Sequence, residues 1–467
     1  MKLVKFFAFT LGAAVALSSC RNNDTDDEDL TPDQPTTLSG EQTTSKTLTN
    51  DKVWTLKGYV YFKEGTTLTI QEGTIIKSDI TEKGALIIER GAKIFATGTA
   101  AKPIVFTSGK AAGQRNPGDW GGIIILGRAK TNRSTEPQIE GGVGRPYGGN
   151  DDDDNSGILK YVRIEYAGIA AQPNSEINAL TLGAVGRGTV IDHVMTSYAN
   201  DDAFEFFGGT VSPTHLVAYG TADDDFDFDF GYRGTVQYAV ALRIPTFVDP
   251  GDAGNGIECD NDGSSTQAEP FTHPVISNMT IIGPNNAAGT ASNHNYGNRW
   301  RRSTRFTFLN SIILGSQKGG LSVESKSSYD AFNAGTSSFR NNIVFAVTKP
   351  FTTDSATARI LTGAQFPADP ITKDVQGQMI AAAALLIKAK AEAAGQFNLV
   401  AANADAVGLN DPFNLTTPNF LPKAGTPALT GTFQTATGIK TENFRGAFGT
   451  ENWMAGWAVF NPNQQAY

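Results

Sequence analysis

The chain has 467 residues, a formal net charge of −9 and only 18% charged residues. That balance argues against nucleic acid as a partner, because phosphate binding needs a basic face. Past its first twenty residues no run is long and apolar enough for a transmembrane helix, while 50 glycines and 28 phenylalanines suit tight turns around stacked strands.

The N-terminus carries Lys2 and Lys5, then a short apolar run over 6–17, then Leu17-Ser18-Ser19-Cys20. The run is too short to span a bilayer and ends in small residues, which predicts a signal peptide over 1–19. A cysteine just after the cut resembles the lipid acceptor of bacterial lipoproteins, so the mature chain is expected to begin at a lipidated Cys20, tethered to the membrane by acyl chains. Residues 22–29 read Asn-Asn-Asp-Thr-Asp-Asp-Glu-Asp. With no apolar side chain to bury, they predict a solvated tether, extending over 20–46. With Cys20 lipidated, Cys259 lacks a partner, so no disulfide is expected.

From residue 47 the chain repeats itself as one domain running to 467. Residues 68–76 return as 86–94, with Gly73 and Gly91 at the shared turn, 18 positions apart. A second repeat is clearer. His193 to His215, Asp202 to Asp224 and Phe204 to Phe226 are each 22 positions apart. Weaker strand-like copies follow at 238–242, 257–259, 275–282, 308–314, 321–323 and 339–345. Short strands at this period predict a solenoid, in which each coil buries its inner face only by stacking on its neighbours. Alternation places Phe204, Phe206, Phe226, Phe228, Ile257 and Cys259 inward, and Glu205, Asp227 and Glu258 outward in one column. The expected fold is an all-β, right-handed parallel β-helix.

Residues 375–394 are helix formers followed by Gly395, predicting one α-helix on the side or end of the solenoid. Residues 444–449, Trp453 and Trp457 form an irregular aromatic ending, expected to act as a cap or closing loop, since a solenoid must hide its open strands, with a binding platform as the alternative.

Asp201, Asp202, Asp223, Asp224 and Asp225 fall at matching places in adjacent coils, about 4.8 Å apart if the strands pair in register. Like charges so close repel, and Ca²⁺ held by several loop oxygens would relieve them. The bland alternative is solvated turn residues capping backbone amides. Residues 151–154, a further acidic run, belong to no ladder and read as a solvated loop. Arg299, Trp300, Arg301 and Arg302, with Arg305 beyond, make a basic and aromatic patch that could grip an acidic glycan or a partner. Pairing with the protein's own carboxylates is the competing reading.

Asp119-Trp120-Gly121-Gly122, residues 204–211 and the Trp453/Trp457 ending resemble a group of β-helix surface lipoproteins common in Bacteroidetes. The resemblance covers nearly all of the mature chain and implies an outer-membrane lipoprotein facing the cell exterior, without implying an activity. Ile191-Asp192-His193 with Asp201-Asp202 also resembles a pectate-lyase signature, whose enzymes use an arginine as base. Arg243-Ile244-Pro245 half-matches that element. Val190 and Val248 depart from it, and His193 has a twin in His215, which suggests a ladder element. The leading expectation is a non-enzymatic binding or scaffold module for a glycan, a peptide or a partner outer-membrane protein. The alternative is a calcium-dependent polysaccharide lyase. The two separate on whether Arg243 projects into the groove that holds Asp202 and Asp224.

Overall fold

The computed structural model describes residues 36–172, 175–366 and 372–467. The expected signal peptide, the lipidation site at Cys20 and the acidic run 22–29 lie outside the described residues. The rest is a parallel β-helix, with 26 strands joined in one sheet.

The coils have three faces. On the first, Ala85–Ile88, Ile123–Leu126, Leu180–Gly183, Phe204–Phe207, Phe226–Asp229, Ile257–Cys259 and Tyr296–Trp300 pair in parallel, each with the next. The other two faces are formed by longer strands that bend midway: Gly157–Glu165, Val190–Ser197, Thr214–Tyr219, Thr235–Leu242 and Val275–Ile282. The bend has one recurring cause. Tyr161, His193, His215, Tyr238, Asn278, Asn310 and Asn341 all have φ between 48° and 60°. A left-handed residue turns the chain through a corner, and asparagine accepts that conformation more readily than most residues. At the corner the side chains stack from coil to coil. The rings of His193 and His215 lie 4.2 Å apart, and Asn341 Nδ2 donates to Asn310 Oδ1 at 2.8 Å. The twin histidines are therefore ladder elements.

The predicted inward residues are inside. Phe204, Phe206, Phe226, Phe228, Ile257 and Cys259 are fully buried. Phe204 stacks on Phe226 at 5.2 Å and Phe206 on Phe228 at 4.8 Å between ring centres. Cys259 is a free, buried thiol.

Three expectations need correction. The solenoid begins earlier than residue 47, because Thr37–Gln42 pairs with Trp54–Phe62. Only Leu38 of that strand is buried, so its polar sequence reads as tether although its backbone is in the sheet. Among the described residues three α-helices are present rather than one. Lys373–Ala391 matches the expected segment over 375–391, ends three residues earlier and starts from a Thr372 cap. Lys326–Ala334 and Ser355–Thr362 are too short to show a clear period in the sequence. On Lys373–Ala391, Met379, Ala383, Ile387 and Ala391 form a buried stripe, and the last two join the core cluster that includes Phe351 and Phe339. The helix thus closes the C-terminal end of the solenoid.

The aromatic C-terminus does something else. It runs back along the outside of the coils. Gln434 meets Asn310, Lys440 meets Gln237, and the Tyr467 hydroxyl donates to Glu165 at 2.7 Å. Beneath it lie Met195, Val217, Val240, Leu242, Ile282 and Leu314, outward-facing apolar residues that it buries together with its own Trp457 and Phe448. It is a closing strap over one face of the coils rather than a cap on their end, and its aromatic side chains are largely spent on covering that face.

Candidate metal centre

Strand alternation that sends Phe204, Phe226 and Ile257 inward sends Glu205, Asp227 and Glu258 outward as direct register partners. Earlier in the same outward row stand Ile87 and Ile124, covered by Ile139, Val143 and Tyr147 of a long loop, and then Thr181. Where that loop ends the row turns acidic and a cleft of about 450 Å³ opens.

The turns before these strands add the aspartates. Asp224 N donates to Asp202 Oδ1 at 2.8 Å, Asn255 N donates to Asp224 Oδ1, and Asp202 N donates to Asn178 Oδ1 at 3.2 Å. One oxygen of Asp202 and one of Asp224 thus staple neighbouring coils, as the turn-capping reading expected. Both residues also belong to the carboxylate cluster. Three overlapping trios bring one carboxylate oxygen each to within 4.8 Å of one another: Asp201, Asp202 and Asp223; Asp202, Glu205 and Asp227; Asp224, Asp227 and Glu258. Asp202 and Asp227 each belong to two trios, so the carboxylates form a continuous string across three coils.

Compensation along the string is uneven. At the Glu258 end, Arg299 bridges Glu258 and Glu324 at 3.0 and 3.1 Å. Arg301 contacts Glu258 and Asp260, and Arg302 contacts Asp260. The expected ligand patch is therefore spent on internal ion pairs. Its aromatic member, Trp300, is fully buried and stacks on Phe306 at 4.5 Å. At the other end, Glu140, Glu176, Asp201, Asp202, Glu205, Asp227 and Asp229 line the cleft, and among the described residues Arg133 is the sole cation lining it. Arg133 lies over the Phe230 ring at 4.5 Å. Glu205 is 4% exposed, and its Oε1 is buried with no hydrogen-bond partner.

The electrostatic result follows. Burial, and then repulsion from neighbouring carboxylates, holds Asp201, Asp202 and Asp227 well above the ordinary carboxylate range. For Glu205 burial again dominates, against a hydrogen bond with Asp202 that works the other way. Burial first, and Asp201 next, push Asp223 up to about 8. Burial pushes Glu140 up to about 7. Such a cluster holds protons or a cation near neutral pH. An all-oxygen string of this kind suits a hard ion such as Ca²⁺, which takes 6–8 oxygens in flexible geometry.

Asp225 does not belong to the cluster. It is fully buried and paired with Arg243 at 3.2 Å, because its side chain points into the turn while its neighbours point out. Arg243 in turn donates to the carbonyls of Asn255 at 2.7 Å and Thr221 at 3.2 Å, and to His294 Nδ1 at 3.2 Å. It is 3% exposed and absent from the cleft lining, so it cannot serve there as a base. Asp152, from the run read as a solvated loop, is an ordered clamp: both its oxygens accept from Arg233 at 2.6 Å. Glu140, Glu176 and Asn178 escaped the sequence reading, because they come from irregular excursions outside the repeat.

A profile of the pectate-lyase-like beta-helix domain matches residues 40–388. No curated protein and no solved structure gives a significant match. The parallel coils, the register of their strands and this match over most of the chain agree: the protein belongs to the pectate-lyase-like β-helix domain family.

Proposed function

We propose that this chain is a surface-anchored outer-membrane lipoprotein of the kind its N-terminus resembles, and that its solenoid is a non-enzymatic binding module whose acidic cleft takes Ca²⁺. The observation that carries the metal reading is the trio Asp202, Glu205 and Asp227, with one Glu205 oxygen buried and unpartnered. Leaving a buried carboxylate oxygen unsatisfied is costly unless a proton or a cation meets it. Asp201, Asp223 and Asp224 complete the oxygen supply on either side. No helix among the described residues is long and apolar enough to cross a membrane, so attachment rests on the lipid at Cys20. The open cleft would present bound calcium to an oxygen-rich ligand, whether a glycan, a peptide or a partner outer-membrane protein. The lyase alternative lacks its base, since Arg243 is committed to Asp225.

The test is a glycan array probed with the purified protein, with calcium and with chelator, alongside calcium titration by calorimetry. Calcium uptake that is lost in Glu205→Gln supports the metal reading, and glycan signal that disappears with chelator ties it to recognition. Absence of calcium uptake at millimolar concentration overturns it. Acyl labelling of the wild type and of Cys20→Ala, compared in membranes, tests the anchor.

A further inference from the structure

We propose that Asp192, His193 and His215 form a second, independent metal site that takes a borderline ion such as Zn²⁺. The residues stand on the corner ladder, on a different face from the acidic cleft. The left-handed conformation shared by His193 and His215 stacks their rings with centroids 4.2 Å apart, between Tyr161 at 4.4 Å and Tyr238 at 4.8 Å. Trp453 and Trp457 of the strap pack edge-on against them. The imidazoles are thereby held in one orientation. Both Nδ1 atoms lie 2.8 Å from the same oxygen, Asp192 Oδ1.

Hydrogen-bond accounting singles out this point. Thr214 Oγ1 donates to Asp192 Oδ1 at 2.9 Å, the His215 ring pairs with it, and Lys160 Nζ holds the other oxygen at 3.1 Å. His193 Nδ1 is buried and equally near, yet it makes no aligned hydrogen bond. As it stands, this nitrogen is a buried polar atom without a partner. A metal ion held by Asp192 Oδ1 and His215 Nδ1 gives it one after a turn of the His193 ring, and the imidazoles need only present Nδ1 unprotonated, any displaced proton moving to Nε2 or to solvent. Two nitrogens and one carboxylate oxygen are a Zn²⁺ donor set. Tetrahedral bonds of about 2.0–2.1 Å need donors roughly 3.3 Å apart, so each Nδ1···Oδ1 side lengthens by about half an ångström from 2.8 Å. The site is partly exposed, with side-chain exposures of 16%, 12% and 24% for Asp192, His193 and His215, leaving a route for the ion and a fourth ligand. Its nitrogen donors distinguish it from the all-oxygen cleft, so it should fill even when calcium is in excess.

The chain has 4 histidines, which makes the test direct. Zn²⁺ is titrated into the full chain, ¹⁵N-labelled at histidine, in excess Ca²⁺. The expected result is one Zn²⁺ per chain and a shift of two Nδ1 signals, those of His193 and His215. His273, bonded to Thr307, and His294, bonded to Arg243, should stay in place. His215→Gln and Asp192→Asn should each weaken Zn²⁺ at least about tenfold, and His273→Gln should not. No uptake at micromolar Zn²⁺ overturns the site, as do shifts confined to His273 or His294 and uptake unchanged in His215→Gln. If a variant misfolds, the wild-type histidine spectrum still decides.

Discussion

Glu205 and Asp227 stand directly opposite each other on adjacent coils, with carboxylate oxygens within 4.8 Å of each other and of Asp202. Stacked like charges at that spacing destabilise a sheet. Removing one charge, at alkaline pH where the cluster is ionised, should therefore separate two effects. Glu205→Gln is expected to raise the thermal midpoint of the metal-free protein and to lower the calcium-induced gain, because repulsion and ligation use the same oxygen. Differential scanning calorimetry with calcium and with chelator reads both. A variant less stable than wild type in chelator would contradict the electrostatic account.

The pH dependence has a definite sign. Burial pushes Asp223 to about 8 from an ordinary value of 3.8. The folded state then keeps protons that the unfolded state has released. Stability of the metal-free protein should fall as pH rises from about 4 to about 8. Calcium displaces those protons and should flatten the profile, contributing about 4 kcal/mol at a thousandfold excess over its dissociation constant. Urea midpoints across this window, with and without calcium, check it.

Arg243 and Asp225 form a buried pair. Arg243→Met leaves Asp225 unpaired and should cost about 3–5 kcal/mol. The double variant Arg243→Met with Asp225→Asn should recover part of that loss. Calcium affinity per folded molecule should change little, because neither side chain lines the cleft. Chemical denaturation combined with calcium titration tests both statements.

The strap predicts a further cost. Trp457 is 1% exposed, and its Nε1 donates to Trp453 O at 2.8 Å. Trp457→Ala should destabilise by about 3–5 kcal/mol. It should also quicken hydrogen exchange over 190–197 and 214–219, whose outward apolar residues the strap covers. Exchange that quickens only at the chain end would mean that the strap and the coils do not act together.

The solenoid was legible in the sequence because a stacked coil must repeat its inward residues: the 22-position spacing of Phe204 with Phe226 and of Asp202 with Asp224 is the coil itself. The acidic column was legible for the same reason, since alternation along a strand is local. What the repeat could not carry was anything supplied from outside it or decided between coils. Glu140 and Glu176 reach the cleft from irregular excursions. Asp225 differs from Asp224 only in the direction its side chain takes, and Arg243 meets it there. Arg299, Arg301 and Trp300 look like one patch, yet alternation sends the arginines out to Glu258 and Asp260 and the tryptophan into the core. The polar strand Thr37–Gln42 and the strap over 434–467 likewise gain their roles only from the coils they lie against. A periodic pattern records which side chains face inward, while ion pairing and covering depend on contacts between distant segments that no local spacing encodes.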